Sequence, residues 1–314
     1  MESFIFSLNA TIPVFSIIIV GNLLKRLGII DSAFSNTAEK FVFKVCLPCL
    51  LFQDLTGTDI RNNFDLSYVS FCFLSTLASI IIIWIVGKKI IRDKSIVGAF
   101  VQGSYRSSAA ILGVAFIQNI YGTSGMAPIM IIASVPLYNI FAVIILTIES
   151  NEKSKDSTVK RAVAGIIKNP IIIGIAAGLT ASYLNIELPR MIDKSISNLA
   201  VMASSLALIS LGASFEGKKA LAKIKPTAAA SMIKLIILAA VFLPVAVYLG
   251  FRDQKLIAIV IMFASPCTPT AYIMAKNMHG DETLAGSIVV ATTFFSAITM
   301  TGWIYLMKSL ALIR

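Results

Sequence analysis

Apolar runs recur along this chain from Phe4 to Leu312, separated by short segments that hold most of the charge. A membrane-crossing helix needs about 20 mostly apolar residues, with about 17 as the lower limit. By that measure the pattern predicts ten helices, at 4–24, 41–57, 66–87, 95–119, 125–148, 162–184, 195–215, 227–250, 256–275 and 284–307. No polar stretch is long enough for a separate soluble domain. The longest, Glu149 to Arg161, reads as a loop. The expected fold class is all-α integral membrane.

Composition agrees with the pattern. The chain is 57% hydrophobic and 14% charged, against roughly 45–50% apolar and about 25% charged in soluble domains. The net charge of +11 would suggest nucleic acid in a soluble protein. Here no nucleic-acid motif accompanies it, and the charges lie between apolar runs, so they report topology. The loops after spans 1, 3, 5, 7 and 9 hold sixteen Lys and Arg, and the opposite side holds seven, among them Arg61, Arg190 and Arg252. The positive-inside bias puts the 149–161 loop in the cytoplasm and both termini outside a multi-pass cell membrane protein. Met1 to Leu24 has no Lys or Arg, and its basic pair, Lys25 and Arg26, follows the apolar run, so it reads as a first span and not as a signal peptide. Lys44, Lys168 and Lys234 lie within reach of span ends and are expected to snorkel to the interface.

The chain also repeats itself. Asp31-Ser-Ala-Phe-Ser35-Asn36 recurs as Asp193-Lys-Ser-Ile-Ser197-Asn198, at an offset of 162. Pro13 stands eight residues before Gly21, as Pro170 does before Gly178, an offset of 157; Tyr121-Gly122 and His279-Gly280 lie 158 apart. The expected organisation is a first five-helix repeat over 1–150, a linker loop at 151–160 and a second repeat over 161–314. Five is odd, so the second copy crosses in the opposite sense. Inverted repeats are a hallmark of secondary transporters, whose sites lie where helices break near the midplane.

The fourth span of each half has the most polar interior. Span 4 contains Gly103-Ser-Tyr-Arg106-Ser107-Ser108, and span 9 contains Ser265-Pro266-Cys267-Thr268-Pro269. Each proline lacks an N–H and its ring clashes with the preceding turn, so span 9 should unwind at mid-depth. Lipid cannot satisfy the freed carbonyls, and such a break must be buried or line a wet cavity. Exposed N–H groups of crossed half-helices favour an anion. The sixteen acidic residues all fall in loops or near span ends, with Asp54 and Glu149 nearest the core, so no buried carboxylate is expected to bind sodium or relay a proton. Arg106 either snorkels or supplies the counter-charge of a substrate. Gln53, Ser134 and Asn139 are further polar residues at depth. They either line the substrate path or hydrogen-bond a neighbouring helix. Candidate substrate-binding residues are therefore Arg106, Ser107, Ser108, Ser265, Pro266, Cys267, Thr268, Pro269, Gln53, Ser134 and Asn139.

Enzymatic chemistry has little to build on. The chain has one histidine, His279, in an expected loop, and neither an H-E-x-x-H motif nor an intramembrane Asp pair. Cys46-Leu-Pro-Cys49 sits in an apolar run without a second ligand pair and reads as packing, so no metal and no cofactor is expected.

The Leu47-Pro48-x-x-x-Phe52 stretch, the span 4 segment leading through Gly113 to Tyr121-Gly122, Asn169-Pro170, Leu211-Gly212-Ala213-Ser214 and Ser265-Pro266…Ala275-Lys276 occur in an order and spacing that resembles the auxin efflux carrier family, which includes plant PIN carriers and many prokaryotic permeases. The likeness covers essentially the whole chain. It implies a ten-helix fold like that of bacterial sodium–proton antiporters and bile-acid symporters. Spans 4 and 9 would be the crossed, broken helices of a transport domain, with spans 1, 2, 6 and 7 as scaffold. It implies a carrier for a small organic anion (a carboxylate) by elevator-type alternating access. A sodium- or proton-coupled symporter of the bile-acid type is the alternative. A homodimer is compatible with either. Plant members often place Asn in the span 4 crossover where this chain has Ser108, and the 149–161 loop lacks their long regulatory insert.

Overall fold

The computed structural model of the protein describes residues 2–56 (backbone alone at 2–11 and 14), 65–109, 117, 126–149, 167–184, 186–215 and 217–313. The expected 151–160 linker, Arg61, Gly113 and Tyr121-Gly122 lie outside the described residues. Every regular element among the described residues is helical. They are α1 (Glu2–Arg26), α2 (Ser32–Phe41, continued by a π-helical turn Val42–Cys46 and by Leu47–Thr56), α3 (Leu66–Ile90), α4 (Val97–Tyr105), α5 (Ala127–Ile148), α6 (Pro170–Tyr183), α7 (Arg190–Ser214), α8 (Gly217–Ala222), α9 (Ile224–Tyr248, with a second π-helical turn at Ile233–Ile237), α10 (Asp253–Ala264), α11 (Thr270–Asn277) and α12 (Glu282–Ser309).

The starts of these helices follow from short polar side chains. Asp31, Asp65 and Asp281 accept the backbone N–H of Phe34, Tyr68 and Leu284 at 2.7, 3.1 and 2.7 Å. Asn169 accepts that of Ile171 at 2.9 Å, and Pro170 follows in the first helical turn, where a missing N–H costs nothing. Each such cap stabilises its helix by about 1 kcal/mol. Among the described residues five helices, α3, α5, α7, α9 and α12, are long and apolar enough to cross a membrane. At about 1.5 Å per residue, the 25 residues of α3 exceed the roughly 30 Å hydrocarbon core. Expected span 2 lies in α2, which also carries Glu39, Lys40, Lys44 and Asp54. Expected spans 4 and 9 are interrupted, by the chain that follows Tyr105 and by the chain between Ala264 and Thr270.

The helices pack in two sets. In the first, α1 lies on α7, α6 on α2, and α2 on α7. Glycine makes these contacts close. A Cβ on Gly212 would stand 2.0 Å from the Ile18 carbonyl oxygen, and one on Gly21 2.3 Å from that of Ile209. A Cβ on Gly174 would stand 2.7 Å from the Pro48 Cα. Backbone-to-backbone approach through small residues is how helices gain dispersion contact where lipid removes any hydrophobic drive. The second set contains α3, α4, α5, α9, α10, α11 and α12. At its centre every residue from Leu256 to Ala264 of α10 is buried. The outer faces are apolar yet uncovered: Leu74, Ile82 and Ile85 on α3, Val241 and Val245 on α9, and Phe294, Phe295 and Ile298 on α12 are all exposed. Only a hydrocarbon solvent leaves such a surface unpenalised.

Two expectations are corrected. Lys44 and Lys168 are exposed, but Lys234 does not snorkel; it is 0% exposed, and its Nζ donates to the carbonyls of Phe263 at 2.8 Å and Met262 at 3.3 Å. The face of α9 that carries it meets the end of α10, where the last turn offers unpaired carbonyls that attract a cation. Nor are all carboxylates peripheral. Glu39 is 1% exposed and holds the Tyr272 hydroxyl at 2.8 Å and Lys276 Nζ at 3.0 Å. Cys46, Cys49, Cys72 and Cys267 are free thiols.

Candidate substrate cleft

α4 stops because Arg106 turns to extended backbone, with φ −68° and ψ 130°. α10 stops in the same way at Ser265, with ψ 157°, and helical structure resumes after Pro269 as α11. The two interruptions meet. Ser108 N–H donates to the Pro266 carbonyl at 2.9 Å. Ser107 Oγ donates to the Ile261 carbonyl at 3.1 Å and is bonded to Ser265 Oγ, which leaves Ser265 as the donor between the two hydroxyls. Cys267 N–H donates to Thr292 Oγ1 of α12 at 3.0 Å. Each unwound strand thus supplies backbone or hydroxyl groups that the other needs. Buried polar groups without partners would cost about 1–3 kcal/mol each.

Arg106 stands beside this junction and is 4% exposed, so it does not reach an interface. Its Nη2 donates to Asn139 Oδ1 at 2.6 Å and Thr270 Oγ1 at 2.9 Å, and Nη1 donates to the Tyr138 carbonyl at 3.5 Å. Its Nε finds no acceptor among the described residues. Thr270 Oγ1 also pairs with Thr268 Oγ1 at 3.0 Å, and Asn139 Nδ2 is anchored on the Val135 carbonyl at 2.9 Å. The guanidinium is held by neutral groups on two segments, α5 and the start of α11.

A cleft of about 460 Å³, counted with its open mouth, lies between the two helix sets. One wall is α2, through Leu47, Leu50, Leu51 and Asp54; the other is Arg106, Ser107 and Ser108 with Val135, Tyr138 and Asn139 of α5 and Thr268 and Thr270. Of the candidates named from sequence, Arg106, Ser107, Ser108, Asn139 and Thr268 come together here. Ser265 and Pro266 stand behind the wall as partners of Ser107 and Ser108, and Cys267 faces α12. Pro269 caps α11. Ser134 is turned away, its Oγ on the Met130 carbonyl of its own helix at 2.7 Å. Gln53 is half-buried on α2 but does not line the cleft.

Three polar lining residues were not among the candidates named from sequence: Tyr138, Thr270 and Asp54. Asp54, one of the two carboxylates expected nearest the core, is half-buried and lines the cleft. The signal was available, because 47, 50/51 and 54 follow helical spacing and share one face. Gln53 is rotated about 100° from it.

Known proteins give a consistent result. The model for the membrane transport protein family matches residues 6–304. A Rhizobium meliloti protein described as a "putative malonate transporter" is 25% identical over 313 residues, covering 96% of each chain. A Methanothermobacter thermautotrophicus protein described as an "uncharacterized transporter" is 20% identical over 312 residues, covering 96% of this chain and 98% of its own.

Proposed function

The chain belongs to the membrane transport protein family, a multi-pass transporter and not an enzyme, and from that premise we propose that it carries a small organic anion, with a short dicarboxylate such as malonate the substrate class favoured. The observation that carries this reading is Arg106. A buried guanidinium keeps its charge, and this one lines a cleft while its side-chain partners are neutral. A carboxylate entering the cleft would complete it. The relative described as a putative malonate transporter points the same way. The cleft's place between two helix sets suits alternating access, in which the second set moves against α1, α2, α6 and α7. Supporting an inverted repeat, Ser107 and Ser265 are 158 residues apart, the offset that also separates Tyr121-Gly122 from His279-Gly280 in sequence, and bond to each other. In the same sense α1 packs on α7 while α6 packs on α2. Ten spans, both termini outside and a cell-membrane location complete the reading. Cation-coupled transport of the bile-acid type is a second reading, favoured by one observation: Asp54 lines the same cleft.

Binding tests it. A ligand at a hundred times its Kd stabilises the folded state by about 2.7 kcal/mol. Malonate should raise the thermal midpoint of detergent-purified protein, and Arg106→Ala should abolish the shift while Arg106→Lys keeps part of it. An equal shift in wild type and both variants would remove Arg106 from the site.

A further inference from the structure

A second polar cluster joins the two helix sets away from Arg106. Glu39 of α2 belongs to the first set; Tyr272 and Lys276 of α11 and Glu282 of α12 belong to the second. The Tyr272 hydroxyl donates to Glu39 Oε1 at 2.8 Å, and Lys276 Nζ meets Glu39 Oε2 at 3.0 Å. The same Nζ meets Glu282 Oε2 at 3.3 Å. Asn277 Nδ2 reaches the Glu39 carbonyl at 3.5 Å. One lysine is thus shared between an acid of each set. The pairs Lys88–Glu149, Lys223–Asp281 and Lys255–Asp65, by contrast, each lie within the second set.

We propose that this cluster is a latch for alternating access: Glu39 holds the second set against the first, and when the sets part Lys276 passes to Glu282 alone. The inference rests on the reading that the second set moves against the first, and it names the residues that balance the two positions.

Position and charge carry it. Glu39 stands eight residues before Leu47, the first α2 residue on the Arg106 cleft, and Lys276 six residues after Thr270. At about 1.5 Å per residue the pair lies roughly 10 Å beyond that cleft, where α11 packs against the start of α2. It closes one end of the space between the sets. A buried carboxylate stripped of its cation is costly unless water reaches it. Tyr272 and Glu282 line a second cleft, of about 370 Å³ counted with its open mouth, against Leu211, Ser214 and Phe215 at the end of α7. Parting of the sets widens this cleft and hydrates Glu39. Lys276 needs no such rescue, because Glu282 travels with it on the neighbouring helix of its own set.

A reporter lies in the second cleft. Leu211 of α7 is buried, and a Cβ on Gly286 of α12 would stand 2.7 Å from its Cδ1, so the sets meet there. Leu211→Cys in the full-length protein is labelled with a maleimide in detergent, and each thiol is read separately by peptide mass spectrometry. Cys72, buried within the second set, is the control. Glu39→Gln keeps an acceptor for Tyr272 and removes the charge. It should speed labelling at position 211 by about tenfold or more, the effect of one charge-assisted hydrogen bond, and leave Cys72 at its own rate. Lys276→Gln should speed it too, although losing a nearby positive charge by itself makes a thiol less reactive. Glu282→Gln should slow it, because the parted state then loses the acid that receives Lys276. Opposite signs for the two acids are the signature of the exchange. Equal rates in all variants, the same sign for both acids, or Cys72 rising in step with position 211 would overturn the latch. The anion reading, which is tested with malonate and Arg106, would stand. A thiol at position 211 that reacts in none of the proteins would overturn the latch together with the movement of the sets.

Discussion

The crossing of α1 and α7 offers a test of the architecture in which one substitution should act with opposite signs at two places. A Cβ on Gly212 would lie 2.0 Å from the Ile18 carbonyl oxygen, whereas carbon–oxygen contacts of this kind settle at about 3.3–3.6 Å. Relief therefore requires the helices to part by more than about 1 Å, since backbone on a packed helix has no rotamer to change. Overpacking of this kind costs about 1–3 kcal/mol, against a gain of about 0.8–1.0 kcal/mol for placing Ala instead of Gly in a helix. Gly212→Ala should thus be destabilising by up to about 2 kcal/mol. Gly302, inside α12, has nothing within 4 Å of its added Cβ, so Gly302→Ala should recover the helical gain alone and be stabilising. Thermal unfolding of both variants in the same detergent reads the difference. Gly21→Ala strikes the same crossing, with the Ile209 carbonyl oxygen at 2.3 Å, so the double variant should cost less than the sum of the two. A Gly212→Ala protein as stable as Gly302→Ala would refute the close approach of α1 and α7.

Two further outcomes follow from the breaks and the caps. Pro266→Ala with Pro269→Ala restores two backbone donors and favours helix by roughly 3 kcal/mol per site, so the double variant should fold at least as stably but lose malonate binding; binding at the wild-type level would show that the prolines do not hold the cleft open. Asp65 caps α3 and pairs with Lys255 at the start of α10, and the hydrogen bonds donated to it by Lys255 and by the Tyr68 N–H hold its carboxyl below the ordinary carboxylate range. A depressed acid stabilises above its unfolded value of about 4 and loses that contribution as pH falls through its folded value. Acid unfolding below about pH 4 should therefore be blunted in Asp65→Asn, and identical profiles would refute the pairing.

Much of the architecture was legible because hydropathy and backbone chemistry are local. Runs of apolar residues mark the helices, and two prolines three apart mark a place where α-helix cannot continue. What escaped depended on which face of a helix meets which neighbour. Asp54 was judged by its distance from the end of an apolar run, although its register with Leu47, Leu50 and Leu51 decides where it points. Lys234 has a stem long enough to reach an interface or to turn inward, and only the packing of α9 on α10 decides between them. Ser107 and Ser265 were both named, but their direct bond joins residues 158 apart, beyond anything a local pattern encodes.

Among the described residues two basic side chains, Lys234 and Arg106, are buried, and they differ in a way that bears on where an anion would sit. Both stand at the carbonyl ends of half-helices, the ends that favour positive charge. Lys234 is directed wholly at such an end: its Nζ meets the Met262 and Phe263 carbonyls, and its charge answers the dipole of α10. Arg106 follows the last residue of α4, yet its guanidinium turns away from those carbonyls, toward Asn139, Thr270 and the Tyr138 carbonyl across the cleft wall. Neutral acceptors satisfy its geometry and leave its charge. A positive charge held in fixed orientation by neutral groups, at a wall with open space before it, attracts a carboxylate more strongly than the same charge in water, because the surrounding groups need not reorganise. Among the described residues Lys234 meets the end of the interrupted helix, and on the proposed function Arg106 is the cation that would meet what enters.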